Sequence, residues 1–300
     1  MKKTLLNGLL LAFVILFLSA CSKDNNVLTT HAETSVLNLN FFEANIQEIS
    51  KSRADDTEPK AIKEAFTRLD VALFPDGKTN NADVYRFHQT SSEENFGKLS
   101  IRVPYGKYKL VAIASKANEE VVLTSQEQAT FPGETVTDMA YVCQDVTADN
   151  QNANATCLLK RSLSKFSLQS SDKSFTDLAS IKIKVTGKCN YAFNPLTGFG
   201  IDDGEKTMQK EWTFTNQKSQ KLGMPIYLFI PTDEATVSID VEVKDKAGTT
   251  MKSLHFDNVI LQQNHVTTYT GPLFSNSDIL DFSFANTALT PSEHDLTFTE

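Results

Sequence analysis

The feature that most constrains the fold of this chain is a succession of short runs in which aliphatic and polar residues alternate. Residues 237–243 have this pattern, and residues 99–103 and 181–185 repeat it. Alternation with a period of two is typical of a strand that has one buried face. Turn-forming residues, such as Pro75–Gly77 and Pro132-Gly133, separate the runs. The pattern therefore predicts an all-β chain of many short strands.

The composition also favours strands over helices. The chain has 20 Phe, many Thr, Val and Ile, and no long stretch rich in Ala, Leu, Glu and Lys. The predicted strands cover residues 34–42, 66–74, 84–88, 99–103, 108–114, 120–123, 135–142, 158–168, 181–185, 212–214, 226–230, 237–243, 251–256, 258–261 and 265–269. Strands at this spacing, with turn signals between them, indicate β-sandwiches. We predict no helix, and an irregular tail after residue 272.

The beginning of the sequence has the organisation of an export signal. Lys2 and Lys3 precede a short apolar run, which does not reach the roughly 20 residues that span a bilayer. The stretch that follows, Leu18–Cys21, resembles the lipobox of bacterial lipoproteins. The resemblance implies that Cys21 carries a lipid such as palmitate and becomes the mature N-terminus. The alternative is an ordinary signal peptide that is cut after Ala20.

Polar segments divide the rest of the sequence. Residues 22–26 predict a flexible tether, or a form of the signal that sends lipoproteins of Bacteroidota-type bacteria to the outer surface. Residues 144–156 are polar and lack periodicity, which places a domain boundary there or slightly past it. The predicted order is a signal peptide at 1–20, a lipidated tether at 21–33, an N-terminal β-sandwich domain at 34–150 and a C-terminal β-sandwich domain at 151–300.

The charge of the chain excludes one class of partner. Removal of residues 1–20 leaves 27 basic side chains against 37 acidic ones, a net charge of −10. A nucleic-acid partner must have its phosphates neutralised by Lys and Arg. We therefore predict that this chain binds no nucleic acid.

The residue types that carry catalysis or bind metals do not occur in a functional pattern. The sequence has none of the common catalytic or phosphate-binding motifs, and its five histidines lack the spacing of a metal site. Asp202–Glu205 lacks the alternating oxygen ligands of a calcium loop, so we interpret it as a turn. Trp212, the only tryptophan, is interpreted as a core residue rather than as a sugar platform. The sequence thus predicts no catalytic residue, no cofactor and no metal ion.

Three cysteines follow Cys21, namely Cys143, Cys157 and Cys189. An exported chain reaches an oxidising compartment, in which one disulfide is expected. Cys143 and Cys157 flank a polar stretch that a bond between them would close. Sequence alone does not decide the pairing, and the alternative is that all three are buried small side chains.

A long charged loop is predicted at residues 47–63. It contains Arg53, a site for a trypsin-like protease in an exposed segment. The alternative is a surface loop that is not cut.

Taken in order, several stretches of the chain resemble the fimbrillin superfamily of Bacteroidota-type fimbriae, which includes shaft, tip and anchor subunits. Besides the lipobox and tether, the resemblance is carried by residues 69–77, 103–112, 159–165, 227–231 and 258–271. It implies two tandem transthyretin-like β-sandwiches, no enzyme activity and a role in building or anchoring adhesive fibres. It also implies other fimbrial subunits as partners, host glycans or proteins as ligands, and a lipid anchor in the outer membrane.

The resemblance further implies assembly by β-strand addition. In shaft subunits of this family a protease cuts after an arginine in the first long loop, which frees the first strand together with the lipid and opens a groove for a donor strand. The matching parts here are residues 34–42 and Arg53. Anchor subunits keep their lipid, and the weak strand pattern of residues 273–300 favours an anchor or a minor or tip subunit.

Two other functions are compatible with an exported β-rich chain. A lipid-anchored glycan-binding surface module predicts clustered exposed aromatic residues, for which Trp212 and Tyr191 are the candidates. A lipoprotein glycosidase requires two carboxylates that face each other across a cleft. Two observations argue against the glycosidase: the sequence has no catalytic motif, and the two predicted sandwiches account for nearly all of its length.

Overall fold

A computed structural model describes residues 33–44, 60–77, 83–151, 153–216, 218–275 and 281–289. The predicted signal peptide, most of the tether, Cys21 and Arg53 therefore lie outside the described residues. No helix in the described ranges is long and apolar enough to cross a membrane.

The described residues confirm the all-β prediction. They form β1 (Thr34–Glu43), β2 (Lys60–Ala61), β3 (Arg68–Pro75), β4 (Tyr85–Thr90), β5 (Lys98–Pro104), β6 (Gly106–Ser115), β7 (Val122–Ser125), β8 (Gln128–Thr130), β9 (Met139–Ala148), β10 (Ala153–Leu159), β11 (Ser164–Ser170), β12 (Leu178–Gly187), β13 (Ala192–Phe193), β14 (Lys206–Thr213), β15 (Gly223–Leu228), β16 (Glu234–Asp245), β17 (Thr250–Gln262), β18 (His265–Gly271) and β19 (Ser283–Ala288). The helical content of these ranges is two short 3-10 turns, Ile62–Glu64 and Pro132–Glu134.

The first sandwich packs two sheets face to face. One sheet has β1 between β10 and β5, with β2 paired to the end of β1, and the other has the order β4-β3-β6-β9. The core between them contains Leu39 and Phe41 from β1, Leu73 from β3 and Leu110 from β6. Each of these side chains comes from a strand whose alternate residues face the opposite sheet.

The second sandwich is built in the same way from the second half of the chain. A sheet of order β14-β12-β16-β17 covers a sheet of order β15-β11-β18-β19. Ile183 and Val241 from the first of these sheets and Phe166 and Leu228 from the second are buried in its core. The alternating runs predicted at residues 181–185 and 237–243 supply one wall of this core.

The sheet β4-β3-β6-β9 is buried on both faces and joins the two cores. Leu73 faces the core of the first sandwich, whereas Phe74 and Ile113 belong to the larger core of the second. A small sheet of order β13-β8-β7 lies at this second face, where Phe193 from β13 stacks on Phe229 at 4.7 Å between ring centroids. Burial on both faces explains why residues 69–74 are nearly all apolar instead of alternating.

The strand that follows the predicted boundary between residues 150 and 151 pairs with the first strand of the chain. Strand β10 lies after that boundary, yet it pairs in parallel with β1 and completes the first sandwich. The inward residues of β10 include Ala153 and Ala155, which pack against the core although they are too small to give a clear hydrophobic signal. Their outward neighbours are Asn154 and Thr156, so this strand reads as part of a polar linker.

Several observed strands differ from the predicted ones in their bounds or their number. The run 158–168 is interrupted after Leu159, where the chain passes from the first sandwich to the second. The runs 251–256 and 258–261 form the single strand β17, in which Asn258 has a φ of 55° and the register against β16 shifts. Strand β19 lies in the tail that was predicted to be irregular, since its side chains are exposed and give no apolar alternation.

We expect β10 to be as protected from amide exchange as β1, because the two strands form one ladder with seven aligned residue pairs. Hydrogen exchange followed by mass spectrometry measures this. Strand β19 is the internal control: like β10 it pairs on one edge only, but its side chains are mostly exposed, so it should exchange faster. Exchange of β10 at the rate of the adjoining turn at 149–151 would contradict this architecture.

Candidate functional site: the groove of the first strand

Strand β1 occupies the centre of its sheet. Leu37–Glu43 pair in parallel with β10, and Thr34–Asn40 pair antiparallel with β5. Within the described residues β1 is the only ladder partner of β5 and of β10. Loss of β1 would leave both neighbours with a row of unpaired backbone groups, which is the feature that recruits an added strand.

The inner face of β1 fills the floor of this groove. The side chains of Leu37, Leu39 and Phe41 are 1–2% exposed, while Asn38 and Asn40 between them face outward. Full burial of a Leu or Phe side chain contributes about 1.5–3 kcal/mol. The three apolar side chains and the two backbone ladders together hold β1 in place.

The two ends of β1 adjoin the parts of the sequence that bear the predicted modification sites. The carbonyl of Glu33 accepts a hydrogen bond from the Tyr105 amide at 2.8 Å, and the Ala44 amide donates to the Leu159 carbonyl at 2.8 Å. Residues 1–32, with Cys21, precede the strand, and residues 45–59, with Arg53, follow it. A cut after Arg53 would therefore leave β1 attached to its groove by non-covalent contacts alone.

A buried cluster of charges closes the groove at the end of β1. Glu43 Oε1 accepts hydrogen bonds from Arg161 Nη2 at 3.1 Å and from Arg161 Nε at 3.2 Å. Arg161 Nη1 donates to Asp138, whose other oxygen lies 3.8 Å from Lys116 Nζ. The guanidinium also lies over the ring of Phe66, at 5.6 Å from the ring centre. Glu43, Asp138 and Arg161 are hereafter called the junction cluster.

The junction cluster depends on Glu43 for the acceptor of two Arg161 nitrogens. Glu43 is 3% exposed and Arg161 is 4% exposed, so water does not solvate either group. Burial raises the pKa of Glu43 above its usual range, and the nearby positive charge of Arg161 partly opposes this rise. Removal of the Glu43 carboxylate would leave Nε and Nη2 of Arg161 without their buried acceptor, which is unfavourable, although Asp138 would still balance the charge of Arg161. The junction cluster therefore ties β1 to the segment that connects the two sandwiches.

Sequence reasoning missed the junction cluster. Arg161 was placed on a predicted strand and Glu43 was placed just after one, without a role for either. One signal was present, because Arg161 follows the apolar Leu159 and precedes the apolar Leu163 at the same spacing of two. A charge at a core-facing position needs a partner, but the sequence does not say that the partner is 118 residues away.

The structure does not form the predicted bond between Cys143 and Cys157. Cys157 is buried in the core of the first sandwich, whereas Cys143 packs against the other core, so the two side chains lie on different sides of their strands. These two cysteines and Cys189 are free thiols. Burial raises the pKa of Cys157 to about 12 and that of Cys189 to about 11, which keeps both in the unreactive thiol form.

The other residues considered for chemistry are engaged locally. Trp212 packs against the larger core, and Lys210 Nζ lies 4.9 Å from its ring centre. Asp202 pairs with Lys188 at 3.1 Å, and Asp203 pairs with Lys206 at 2.8 Å. In the described part of the chain, no group of three or more His, Cys, Asp or Glu side chains is arranged to hold a metal ion.

These observations define a class of all-β protein with two sandwiches, in which the first strand is the central strand of the first sheet and is held at one end by a buried ion pair. The chain belongs to the DUF6562 family, a family of unknown function, whose profile matches residues 26–290. No curated protein matches it in sequence.

Several solved structures are similar to this chain. The fimbrial anchor protein Mfa2 from Porphyromonas gingivalis is 11% identical with a TM-score of 0.44, and the match covers 86% of this chain and 99% of that one. A proposed adhesin from Bacteroides thetaiotaomicron is 10% identical with a TM-score of 0.47, and the match covers 86% of this chain and 98% of that one. The tip fimbrial protein Mfa3 from Porphyromonas gingivalis, truncated at its C-terminus, is 9% identical with a TM-score of 0.38. That match covers 85% of this chain and 100% of the other.

Truncation of the inner face of β1 should destabilise the fold strongly. We expect Leu39→Ala and Phe41→Ala each to lower the free energy of unfolding by about 3–5 kcal/mol, because each leaves a cavity in a core that is otherwise filled. Urea unfolding followed by circular dichroism measures the change. Asn40→Ala on the outer face is the matched control, and its effect should stay within about 0.5 kcal/mol. Equal losses at positions 39 and 40 would contradict the assignment of the two faces.

Removal of the buried Glu43 carboxylate should lower the free energy of unfolding more than removal of an exposed carboxylate does. We expect Glu43→Ala to lower the free energy of unfolding by about 1–3 kcal/mol, because two buried nitrogens of Arg161 lose their acceptor while Asp138 still balances the charge. The matched control is Glu94→Ala, which removes an exposed carboxylate from the first sandwich. If the two variants unfold at the same urea concentration, the junction cluster has no energetic role.

Proposed function

We propose that this protein is a structural subunit of an adhesive fibre on the outer face of the outer membrane, and that it assembles with other fimbrial subunits by β-strand addition. The observation that carries the proposal is the central position of β1 between two strands that have no other ladder partner in the described chain. A strand in that position is at once necessary for the sheet and replaceable by another strand of similar pattern.

The proposal gives the two ends of β1 separate roles. Lipidation at Cys21 would hold a copy at the membrane as an anchor, with β1 retained in its groove. Cleavage after Arg53 would free β1 and the lipid, so that the copy could join the fibre as a minor or tip subunit. Host glycans or proteins are the proposed ligands of the fibre, and no catalysis is part of the proposed role.

Processing at Arg53 is tested by the start of the mature chain. We expect protein from outer membranes to begin at a lipidated Cys21, and protein in sheared fibres to begin at Ala54. Arg53→Ala should abolish the second form, because a trypsin-like protease needs the basic side chain before the bond that it cuts. Intact mass and N-terminal sequencing of both fractions measure this.

Lys51→Ala is the matched control, since it removes a nearby basic residue from the same segment. It should leave both forms unchanged. A chain that starts at Ala54 in the Arg53→Ala variant would overturn the assignment of the cleavage site. Absence of the protein from both the fibres and the membrane sites that hold them would overturn the proposed function.

A further inference from the structure

A cleft lies at the end of the first sandwich where β3 ends and where β5 turns into β6. It has a volume of about 430 Å³, and small-molecule sites in proteins measure roughly 300–1,000 Å³. Strands β3, β4 and β6 lie side by side there, with Leu73 opposite Tyr85 and Pro75 opposite Tyr108. Three tyrosines and three charged side chains in the lining define what is hereafter called the tyrosine cleft: Tyr85, Tyr105, Tyr108, Asp76, Asp83 and Lys107.

The three tyrosines differ in their exposure to solvent. Tyr108 is 4% exposed, and its hydroxyl donates to the carbonyl of Pro104 at 2.7 Å. Tyr85 is half-buried, and its ring meets that of Tyr108 in an edge-to-face arrangement with 6.0 Å between the ring centres. Tyr105 is 39% exposed. Tyr85 and Tyr108 therefore form a packed wall, and Tyr105 is the ring that a ligand can reach.

Backbone and side-chain contacts fix the turn that carries Tyr105. The Tyr105 amide donates to the carbonyl of Glu33 at 2.8 Å, and the Tyr108 hydroxyl holds the same turn at Pro104. A tyrosine side chain has only two main torsions to restrict. An aromatic ring on a fixed turn therefore binds a ligand at a small cost in conformational entropy.

The charged residues at the rim of the cleft supply hydrogen-bonding groups. Asp76, Asp83 and Lys107 are exposed, and the Asp76 amide donates to the Lys107 carbonyl at 2.9 Å. Carboxylates accept hydrogen bonds from hydroxyl groups, and an ammonium group donates them. Two negative charges and one positive charge disfavour an acidic ligand. The rim thus suits a neutral ligand that carries several hydroxyl groups.

A sugar ring combines the groups that the two parts of the cleft require. Its C–H hydrogens carry a small positive charge, which is attracted to the negative face of an aromatic ring. Its hydroxyls are donors for the two carboxylates and acceptors for the ammonium group. An apolar ligand would instead remove water from the charged rim without replacing the lost hydrogen bonds.

We propose that the tyrosine cleft binds the terminal sugar of a neutral glycan, with the ring of Tyr105 stacked on the sugar and with Asp76 and Asp83 as acceptors for its hydroxyls. The inference rests on the proposed function, for which it supplies the binding site and the class of glycan.

The tyrosine cleft is separate from the aromatic residues that the sequence offered for glycan binding. Trp212 and Tyr191 pack against the larger core, and Lys210 and Lys206 lie over their rings at 4.9 Å and 5.4 Å from the ring centres. An ammonium group at such a distance competes with a sugar for the ring.

A glycan array probed with the purified full-length protein tests the ligand. The probes are neutral oligosaccharides that end in galactose, glucose or mannose, each paired with the form whose terminal sugar is the corresponding uronic acid. We expect binding to at least one neutral member and about ten-fold weaker binding to its acidic counterpart, because the added carboxylate meets the negative charges of the rim. Absence of binding to every neutral member, or equal binding to both members of the pair, would overturn the proposal.

Substitutions locate the binding on the protein. We expect Tyr105→Ala to weaken binding of the neutral glycan about ten-fold, and Tyr105→Phe to leave it within about two-fold because the ring face is kept. Phe284→Ala is the matched control, since it removes an exposed aromatic side chain from the second sandwich and should leave binding unchanged. Asp83→Asn should narrow the difference between the neutral and acidic members, which a loss of folding would not do. Equal effects of Tyr105→Ala and Phe284→Ala would overturn the assignment of the site.

A proline-rich peptide is the other ligand that a tyrosine-lined groove takes. A fluorescent polyproline peptide is therefore titrated into the same protein and into the Tyr105→Ala variant. We expect no saturable binding. Binding that depends on Tyr105, in the absence of binding to any neutral glycan, would overturn the proposal and indicate a protein partner.

The location of the protein separates failure of this inference from failure of the proposed function. If the protein is present in sheared fibres but binds no neutral glycan, the structural role stands and the glycan site is wrong. If the protein binds a neutral glycan through Tyr105 but is absent from the fibres and from the membrane sites that hold them, the glycan site stands and the fibre role is wrong.

Discussion

The insertion of β1 between β5 and β10 is the constraint on which the first sandwich depends. Neither neighbour has another ladder partner within the described residues, so this sheet exists only when a strand from the start of the chain meets one from the middle. The pairing of β1 with β10 is parallel and joins residues 116 apart, such as Asn38 and Asn154. Strand β1 is therefore central in its sheet although it lies near the start of the sequence.

The junction cluster explains how one strand can influence more than its own sheet. Arg161 lies between β10 and β11, where the chain leaves the first sandwich, and its two carboxylate partners come from β1 and from the residue before β9. A buried ion pair often adds little net stability relative to an apolar substitute, and its best-attested use is to set register. Here it joins the end of β1 to the segment between the two sandwiches.

The sequence predicted the strands whose signal is local. The alternation at residues 181–185 and 237–243, together with the turn at Pro75–Gly77, locates strands correctly because burial of one face imposes a period of two. Residues 153–157 were interpreted as a polar segment rather than a strand, because the first part of β10 consists of alanines and polar residues with almost no hydrophobic signal. The pairing predicted for Cys143 and Cys157 followed sequence proximity, whereas the two side chains pack into different cores.

The sequence by itself determined the fold class, the positions of most strands and the lack of catalytic motifs. Only the tertiary structure decided that β1 is central, that β10 belongs with it and that Glu43 meets Arg161. The physical reason is the range of the interactions. Alternation and turn chemistry act between neighbouring residues, whereas strand order and the partner of a buried charge are settled by groups more than a hundred residues apart.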